Sequence, residues 1–340
     1  MIKDALDQLV RGDNLSAPTM RYMMDEIMTG EASDIMKAAA LTALSIKGET
    51  VEEITAAAQS MRNHGTRIDH NRDLLEIVGT GGDKAFSFGI STTSSFVIAA
   101  AGVPVAKHGN RSASSKSGAA DCLEALGARL NISPEGNLEL LDDVNMCFFF
   151  AQRYHSAMKN VATVRTALGI RTIFNVLGPL TNPAAANMQV LGVYDESLVR
   201  PLSEVLDNLG VRRNLVVYSQ DGLDEITSSA DNTVCECING VFTEYTLTPE
   251  QFGLQRGTKR DLVGGSPVEN AVITRQILDG QPGPKRDTVI MNAAAGIYLA
   301  KQNTTLEQAA QIAAEMIDSG KAKAKLEEFI AATNALEEGE

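Results

Sequence analysis

The chain has no tryptophan, and aromatic residues make up only 5% of its 340 positions. Its interior must be built from alanine, leucine, isoleucine, valine and methionine, which favour close helix packing. Cysteine is equally sparse. The four present, Cys122, Cys147, Cys235 and Cys237, form no C-x-x-C pair. That argues against a disulfide framework and suits buried, reduced thiols in a cytoplasmic protein. The four histidines are too scattered for a zinc site. No apolar run approaches the roughly 20 residues of a membrane span. The start, MIKDALDQLV, is amphipathic and carries two aspartates, which does not suit a signal peptide. Positive charge is short too: 30 Lys and Arg stand against 43 Asp and Glu, for a net charge of −13. General binding to nucleic acid or to an anionic membrane surface is therefore not expected. Any anionic ligand must be caught by a local basic site.

What is present divides in two. Residues 1–70 read as helix throughout. Ser16 before Ala17-Pro18, Ser33 before an Ala-rich stretch, and Thr50 with Glu53 are helix starts, the last a capping box. Gly30, Gly48 and Gly65 are the matching stops. Four short helices make a small bundle. Its Ala- and Met-rich stripes exceed what four helices need internally, so this segment is expected to supply the contact of a homodimer. From residue 74 the period changes. LLEIV, VPVA, MCFFFA, MQVLGVY and NLVVYS are short apolar runs with helical patterns between them. Such alternation predicts an α/β domain, residues 71–340, with a mainly parallel central sheet flanked by helices on both faces. TVCECI and VFTEYTLT read as a later, more exposed strand pair. The stretch from about 160 to 187 is longer than a simple crossover and is expected to return to the bundle. The active site is expected in the cleft between the two parts.

Three loops carry the chemistry. LLEIV runs into Gly79-Thr80-Gly81-Gly82-Asp83, and a helix begins near Ser91 and Thr92. Glycines expose backbone N–H groups to an anion at a strand's carboxyl end. The loop is neither a Walker A nor a G-x-G-x-x-G motif, and alone it reads equally as a tight turn. VPVA runs into KHGNRSASSKSGAAD (107–121), where Lys107, His108, Arg111 and Lys116 form a basic island among small residues. Two neighbouring strand ends with anion-binding chemistry are more specific than one. NLVVYS runs into DGLDEI (221–226), whose adjacent Asp224 and Glu225 can turn toward one cation from a loop. As an isolated feature, each of the last two is also compatible with a solvated charged turn.

Together, GTGGD, KHGNRSASSKSGAAD, RTIFNVLGPLTNP (171–183) and DGLDEI resemble the signature segments of the anthranilate phosphoribosyltransferase family, in the family's order and across nearly the whole chain. The resemblance implies transfer of a phosphoribosyl group from phosphoribosyl pyrophosphate to the amine of anthranilate, with Mg2+ as cofactor and a homodimer as assembly. It implies a fold of the nucleoside phosphorylase and phosphoribosyltransferase kind. It also implies site residues. Gly79, Gly82, Asp83, Ser87, Gly89, Ile90, Ser91 and Thr92 would line the donor site. Lys107, His108, Gly109, Asn110, Arg111, Ser112, Ala113, Ser114 and Ser115, with Ala119, would form its other wall. Gly79, Asn110 and Arg165 would face anthranilate, and Ser91, Asp224 and Glu225 would hold magnesium.

The chain departs from the family pattern in places. Gly89 stands where asparagine is usual, Gln152, Ser156 and Thr163 where prolines are frequent, and Ser266-Pro267 where Asp-Ala is. These bear on loop shape and affinity. An aromatic amine is neutral at pH 7, so no obligatory acid or base residue is expected; His155 is the one candidate. Lys107 and magnesium would stabilise the leaving pyrophosphate. Two rivals remain: a nucleoside phosphorylase of related fold, and a non-catalytic nucleic-acid-binding relative. The first would lack an arginine facing anthranilate. The second is opposed by the net charge.

Overall fold

The five apolar runs become parallel strands of one sheet: β1 (Leu75–Gly79), β2 (Val105–Gly109), β3 (Met146–Phe150), β4 (Met188–Gly192) and β5 (Arg213–Ser219). The computed structural model describes residues 1–112 and 116–336. Antiparallel β6 (Asn232–Ile238) and β7 (Val241–Leu247) extend the sheet on one edge. The strand order is β3-β2-β1-β4-β5-β6-β7. The chain leaves β1 toward β2 and β3, but leaves β4 toward β5 and β6. The topological switch therefore lies between β1 and β4, where a crevice opens at the carboxyl ends. The inner strands are buried on both faces, which is why they read as unbroken apolar runs. β7 alternates and is mostly exposed, as an edge strand with one solvated face should be.

One face carries α5 (Ile90–Ala100), α6 (Ala119–Leu126), α7 (Pro134–Asp143), α12 (Pro267–Leu278), α13 (Pro284–Ala300), α14 (Leu306–Asp318) and α15 (Lys321–Ala335). The bundle is α1 (Ile2–Val10), α2 (Ala17–Thr29), α3 (Asp34–Lys47) and α4 (Val51–Asn63). Ser16, Ser33 and Thr50 cap the last three, Thr50 reciprocally with Glu53. The buried Glu53 carboxylate also accepts the Leu15 N–H at 2.7 Å and Lys47 Nζ at 2.8 Å. One capping acid thus ties three segments of the bundle together. Gly65 does not end α4. The helix stops at Asn63 with His64 as its C-cap. Gly65 instead lies against the His155 ring, where a Cβ would sit 3.1 Å from Nδ1.

After β3 the chain forms α8 (Ala151–Tyr154), α9 (Lys159–Leu168) and α10 (Phe174–Leu177). α9 packs on α2 and α3, and α10 on α4. On the same side of the sheet α11 (Val199–Asn208) packs on α4 and β5. Met24, Leu41, Ile54, Val161 and Leu177 share one apolar cluster with Leu191, Leu206 and Val216. The bundle and this face of the sheet are therefore a single core.

Candidate active site

The site begins with an incomplete ladder. The register between β1 and β2 is a single pair, Leu75 with Val105. Beyond it the strands part, and side chains take over the hydrogen bonding. Lys107 Nζ donates to the Ile77 carbonyl at 2.7 Å, and the Glu76 carboxylate accepts the His108 N–H at 3.2 Å. Lys107 is buried, at 1% exposure. Its Nζ also donates to Ser91 Oγ at 3.2 Å, in the first turn of α5. Burial lowers the lysine's pKa to about 8, while the carboxylates of Glu225 and Glu76 act to raise it.

The 221–226 turn lies over the switch point. Asp224 Oδ2 accepts the Gly81 N–H at 2.6 Å, and Glu225 Oε1 accepts the Ser91 N–H at 3.2 Å. A Cβ on Gly79 would strike the Asp224 side chain, and one on Gly192 would overlap the Asp224 carbonyl. The two strands end in glycine because the turn crosses them at backbone distance. The sequence reading takes Gly79 as an approach for ligand; here its missing side chain makes room for the protein's own carboxylate.

This packing has an electrostatic cost. Burial, then the nearby Asp83 and Glu225, hold Asp224 well above the usual carboxylate range. Burial raises Glu225 to about 7, against the pull of Lys107 and Ser91. One oxygen of Asp83 accepts the Ala85 N–H at 3.1 Å; the other is buried without a partner. Acidic groups thus outnumber cations where they meet. Among the described residues no three metal-ligating side chains form a closed cage. A carboxylate pair with an unpartnered acid nearby fits Mg2+, which takes one or two carboxylates and completes its shell with water and ligand phosphates.

The rest of the donor loop is strapped down from two sides. Gly81 and Gly82 adopt positive φ, at 71° and 78°. The Gly82 carbonyl accepts Arg171 Nη2 at 2.7 Å. Ser87 bridges Val263, and the Phe88 N–H donates to the Leu262 carbonyl at 3.1 Å. Gly264 lies against the Phe88 backbone, too close for a Cβ. Ser266, one of the departures, caps α12 in a capping box with Glu269. Ile90 and Thr92 are buried in the first turn of α5. Gly89 is that helix's N-cap and makes no side-chain cap. A Cβ there would meet only ordinary contacts, the nearest at 3.6 Å, so nothing steric demands glycine.

The basic wall is less basic than its sequence suggests. The Arg111 guanidinium forks to Glu124 and pairs with Asp121, both on α6, and lies over the Phe150 ring. It is committed to neutralising α6. His108 is buried, and desolvation takes its pKa down to about 3. Ser112 donates its N–H to Asp121, Ala119 opens α6, and the Gly109 backbone abuts Phe148. Asn110 Oδ1 accepts the Arg111 N–H at 2.8 Å and Gln152 Nε2 at 3.4 Å. The departure at Gln152 thus touches a residue expected to face anthranilate. Ala113, Ser114 and Ser115 lie outside the described residues.

Arg165 sits half-buried on α9, with its guanidinium 5.3 Å from the centre of the Phe174 ring. No carboxylate pairs with it among the described residues, and burial lowers its pKa. Ser156 and Thr163 are exposed.

Sequence reasoning passes over two residues. Arg171 stacks on the Tyr194 ring at 4.0 Å while holding Gly82, and its carbonyl accepts Ser45 Oγ at 3.0 Å. It thereby joins the bundle to the donor loop. Its place at the head of RTIFN is the available signal. Glu76 is hidden inside an apolar strand. A third residue, His155, is a candidate base by sequence, but its ring packs on His108 at 5.0 Å and burial lowers its pKa to about 4. That removes the imidazolium at neutral pH, and nothing places the ring at a reacting atom.

The chain matches two family models: the helical bundle domain of a glycosyl transferase family over residues 3–65, and its a/b domain over residues 71–323. An anthranilate phosphoribosyltransferase of Methanobrevibacter smithii is 58% identical, over 98% of this chain and all of its own. Among solved structures, the anthranilate phosphoribosyltransferase of Thermus thermophilus superposes with a TM-score of 0.92 at 43% identity, covering 98% of this chain and 100% of its own. The Saccharomyces cerevisiae enzyme in complex with PRPP and Mg superposes with a TM-score of 0.91 at 27% identity, covering 98% of both chains.

Proposed function

The chain belongs to the anthranilate phosphoribosyltransferases, and from that premise we propose how its own residues carry out the transfer. The reaction breaks the bond from ribose C1 to pyrophosphate in 5-phosphoribosyl 1-pyrophosphate. It joins C1 to the amine of anthranilate and releases pyrophosphate and N-(5-phosphoribosyl)anthranilate, a step of tryptophan biosynthesis. The observation that carries the residue assignment is the meeting of Lys107, Ser91, Asp224 and Glu225 at the switch point.

The donor's phosphates belong at the Gly79–Asp83 loop and the α5 N-terminus, where backbone N–H groups and the helix dipole favour anions. Ser87, Gly89, Ile90, Ser91 and Thr92 flank them, with residues 107–112 and Ala119 opposite. Asp224 and Glu225, with the Ser91 hydroxyl, would hold Mg2+. When bound, the ion neutralises charge on the departing oxygens. Lys107 adds a fixed positive charge beneath the same oxygens. C1 becomes cation-like as the bond lengthens, as in glycoside hydrolysis. The amine arrives neutral, so orientation supplies most of its reactivity. No histidine is required, in keeping with the low pKa values of His108 and His155.

Fluorescence-monitored loss of anthranilate in the presence of phosphoribosyl pyrophosphate and Mg2+ tests the assignment. Phosphorolysis of nucleosides without consumption of anthranilate would instead select the phosphorylase reading. Gly79, Asn110 and Arg165 are proposed to face anthranilate, with Arg165 taking the carboxylate. Arg165→Ala should raise the Michaelis constant for anthranilate about tenfold, the worth of a charge-assisted bond. Donor affinity should stay near the wild-type value, and Arg165→Lys should rescue only in part. Loss of donor binding with acceptor binding intact would invert this division of the cleft.

We further propose domains at 1–70, with about 160–187 returning to the first, and 71–340, and a homodimer formed through the bundle. The stripes of α1 and α2 are spent inward on Leu9, Met20, Met24 and Ile27. The large apolar side chains left outside on the bundle helices are Val10 at the end of α1, Tyr22 on α2, and Ile35 and Ile46 on α3, the last two 82% and 81% exposed. Eleven residues apart, the two isoleucines share one helix face. Ile35→Asp with Ile46→Asp should convert a dimer to a monomer in sedimentation; a wild type that sediments as a monomer sinks the idea. A cytoplasmic setting is supported by four free, buried cysteines. Among the described residues no helix is long and apolar enough to cross a membrane.

A further inference from the structure

The chain passes between bundle and sheet three times: after α4, after α8 and after α10. All three crossings meet around one cavity of about 230 Å3, which includes none of the Asp224 turn. Arg62, Arg67 and His155 line it, with Gln59, Thr66 and Asn208.

Its two arginines are held by backbone carbonyls and an amide, not by carboxylates. Arg62 donates from Nε to the Leu180 carbonyl at 2.8 Å and from Nη1 to the Leu209 carbonyl at 3.2 Å. Arg67 donates to the Arg62 carbonyl and to Asn63 Oδ1. Neither forms an ion pair among the described residues, and unlike Arg129 and Arg171, which carbonyls also hold, the two lie side by side on one cavity. The acid that acts on Arg62 is Glu76, buried in β1 outside the cavity lining. One terminal nitrogen of each arginine has no partner among the described residues. His155 is 5% exposed, and neither ring nitrogen has a hydrogen-bond partner, although the Thr181 backbone lies close. The side chains of Gln59, Thr66 and Asn208 make no hydrogen bonds within the described residues. Two cations that form no ion pair among the described residues, lining one cavity with uncommitted amide and hydroxyl side chains, describe a receptor for an oxyanion.

The rest of the lining sets the kind of oxyanion. No phenyl, phenol or indole ring is present, and the apolar contribution is limited to Pro183, Ala185 and Leu209. Amides and hydroxyls read hydroxyl groups, not aromatic faces. A water molecule's share of liquid volume is about 30 Å3, so a bare phosphate would leave most of the cavity wet. Ligands of drug size need about 300 Å3 or more.

We propose that this cavity binds a small sugar phosphate, its phosphate on Arg62 and Arg67 and its hydroxyls on the amide and hydroxyl side chains of Gln59, Thr66 and Asn208. Bound there, the ligand touches Arg67 before β1, His155 after β3 and Thr181 before β4, and so pins the three crossings to one another.

The test is calorimetry with ribose 5-phosphate as probe, on full-length protein saturated with phosphoribosyl pyrophosphate and Mg2+ and without anthranilate, so that the donor site is filled. The readout is binding, so the outcome stands apart from the catalytic assignments above; a repeat without donor separates the two sites. One ribose 5-phosphate per chain is expected. Arg67→Ala should weaken it about tenfold or more, and Asn208→Leu, at the opposite wall, should weaken it too. Both positions are exposed, and an unchanged melting temperature would show that the variants fold. Absence of saturable heat overturns the proposal, as does binding that neither substitution alters. Inorganic phosphate binding as tightly as ribose 5-phosphate, or benzoate binding more tightly, overturns the sugar phosphate assignment.

Discussion

Asp224→Asn combined with Glu225→Gln should abolish turnover and yet raise the melting temperature of the ligand-free protein. The first effect follows from the proposed cation. Charge stabilisation by a bound metal is worth several kcal/mol at a leaving phosphate, or on the order of a thousandfold in rate. The second follows from the packing. Both carboxyls are desolvated and face each other and Asp83. Glu225 is raised from an ordinary 4.5 to about 7. A group whose pKa is higher in the folded state stabilises the fold below the unfolded value, and that contribution is lost as pH rises through the folded one. At pH 7.5 the wild type therefore carries an unfavourable charge that the amides lack, at a cost of about 3 kcal/mol. The melting difference should be a few degrees at pH 7.5, shrink between pH 7 and 4.5, and vanish below that. Thermal melts across this range and a magnesium titration of turnover check both halves. An active double variant removes the metal role; a destabilised one removes the repulsion.

The same pair shows what a single sequence makes visible. Strands and helices were legible because their signals are local. An apolar run buried on both faces, or a Thr50–Glu53 capping box, is complete within a few residues. The existence of the site was legible as well, because GTGGD, KHGNR and DGLDEI each follow a strand, and parallel strands deliver their ends to one side. The contacts inside it were not. Gly81 meets Asp224 across 143 residues, a pairing set by β1 lying beside β4. Arg111 read as a phosphate cation because the acids that occupy it, Asp121 and Glu124, are found only when α6 turns back along the loop. Glu76 was invisible for a different reason. A carboxylate in an apolar strand has meaning only where the neighbouring ladder fails, and the early parting of β1 and β2 leaves no mark in composition. The shared core of bundle and sheet was hidden in the same way, since Leu177 and Leu206 are ordinary apolar positions until α10 and α11 both come to rest on α4.

Lys107 is where structure changes the expected result most. As an exposed charge in a loop, its loss would weaken donor binding and little else. It is instead a buried strut. Its Nζ satisfies the Ile77 carbonyl where the β1–β2 ladder stops, and it touches Ser91 at the head of α5. Lys107→Ala should therefore do two things. It leaves a void and an unpaired carbonyl in the sheet, a loss of about 2–4 kcal/mol in stability. It also removes a buried cation from the proposed phosphate site, lowering donor affinity by roughly one to two decades. Lys107→Met separates the effects, because the thioether chain fills the volume of the lysine stem without its charge. The methionine variant should melt above the alanine variant but bind the donor just as poorly. The wild type offers a third check. Burial lowers the lysine to about 8, so half the amines have lost their proton at that pH and most have by pH 9. Donor affinity measured by calorimetry in the presence of Mg2+ should fall as pH passes from 7.5 to 9, and the fall should be absent in Lys107→Met. If Lys107→Met binds phosphoribosyl pyrophosphate as tightly as the wild type across that range, the lysine serves only to hold the strands, and the α5 N-terminus alone receives the phosphates.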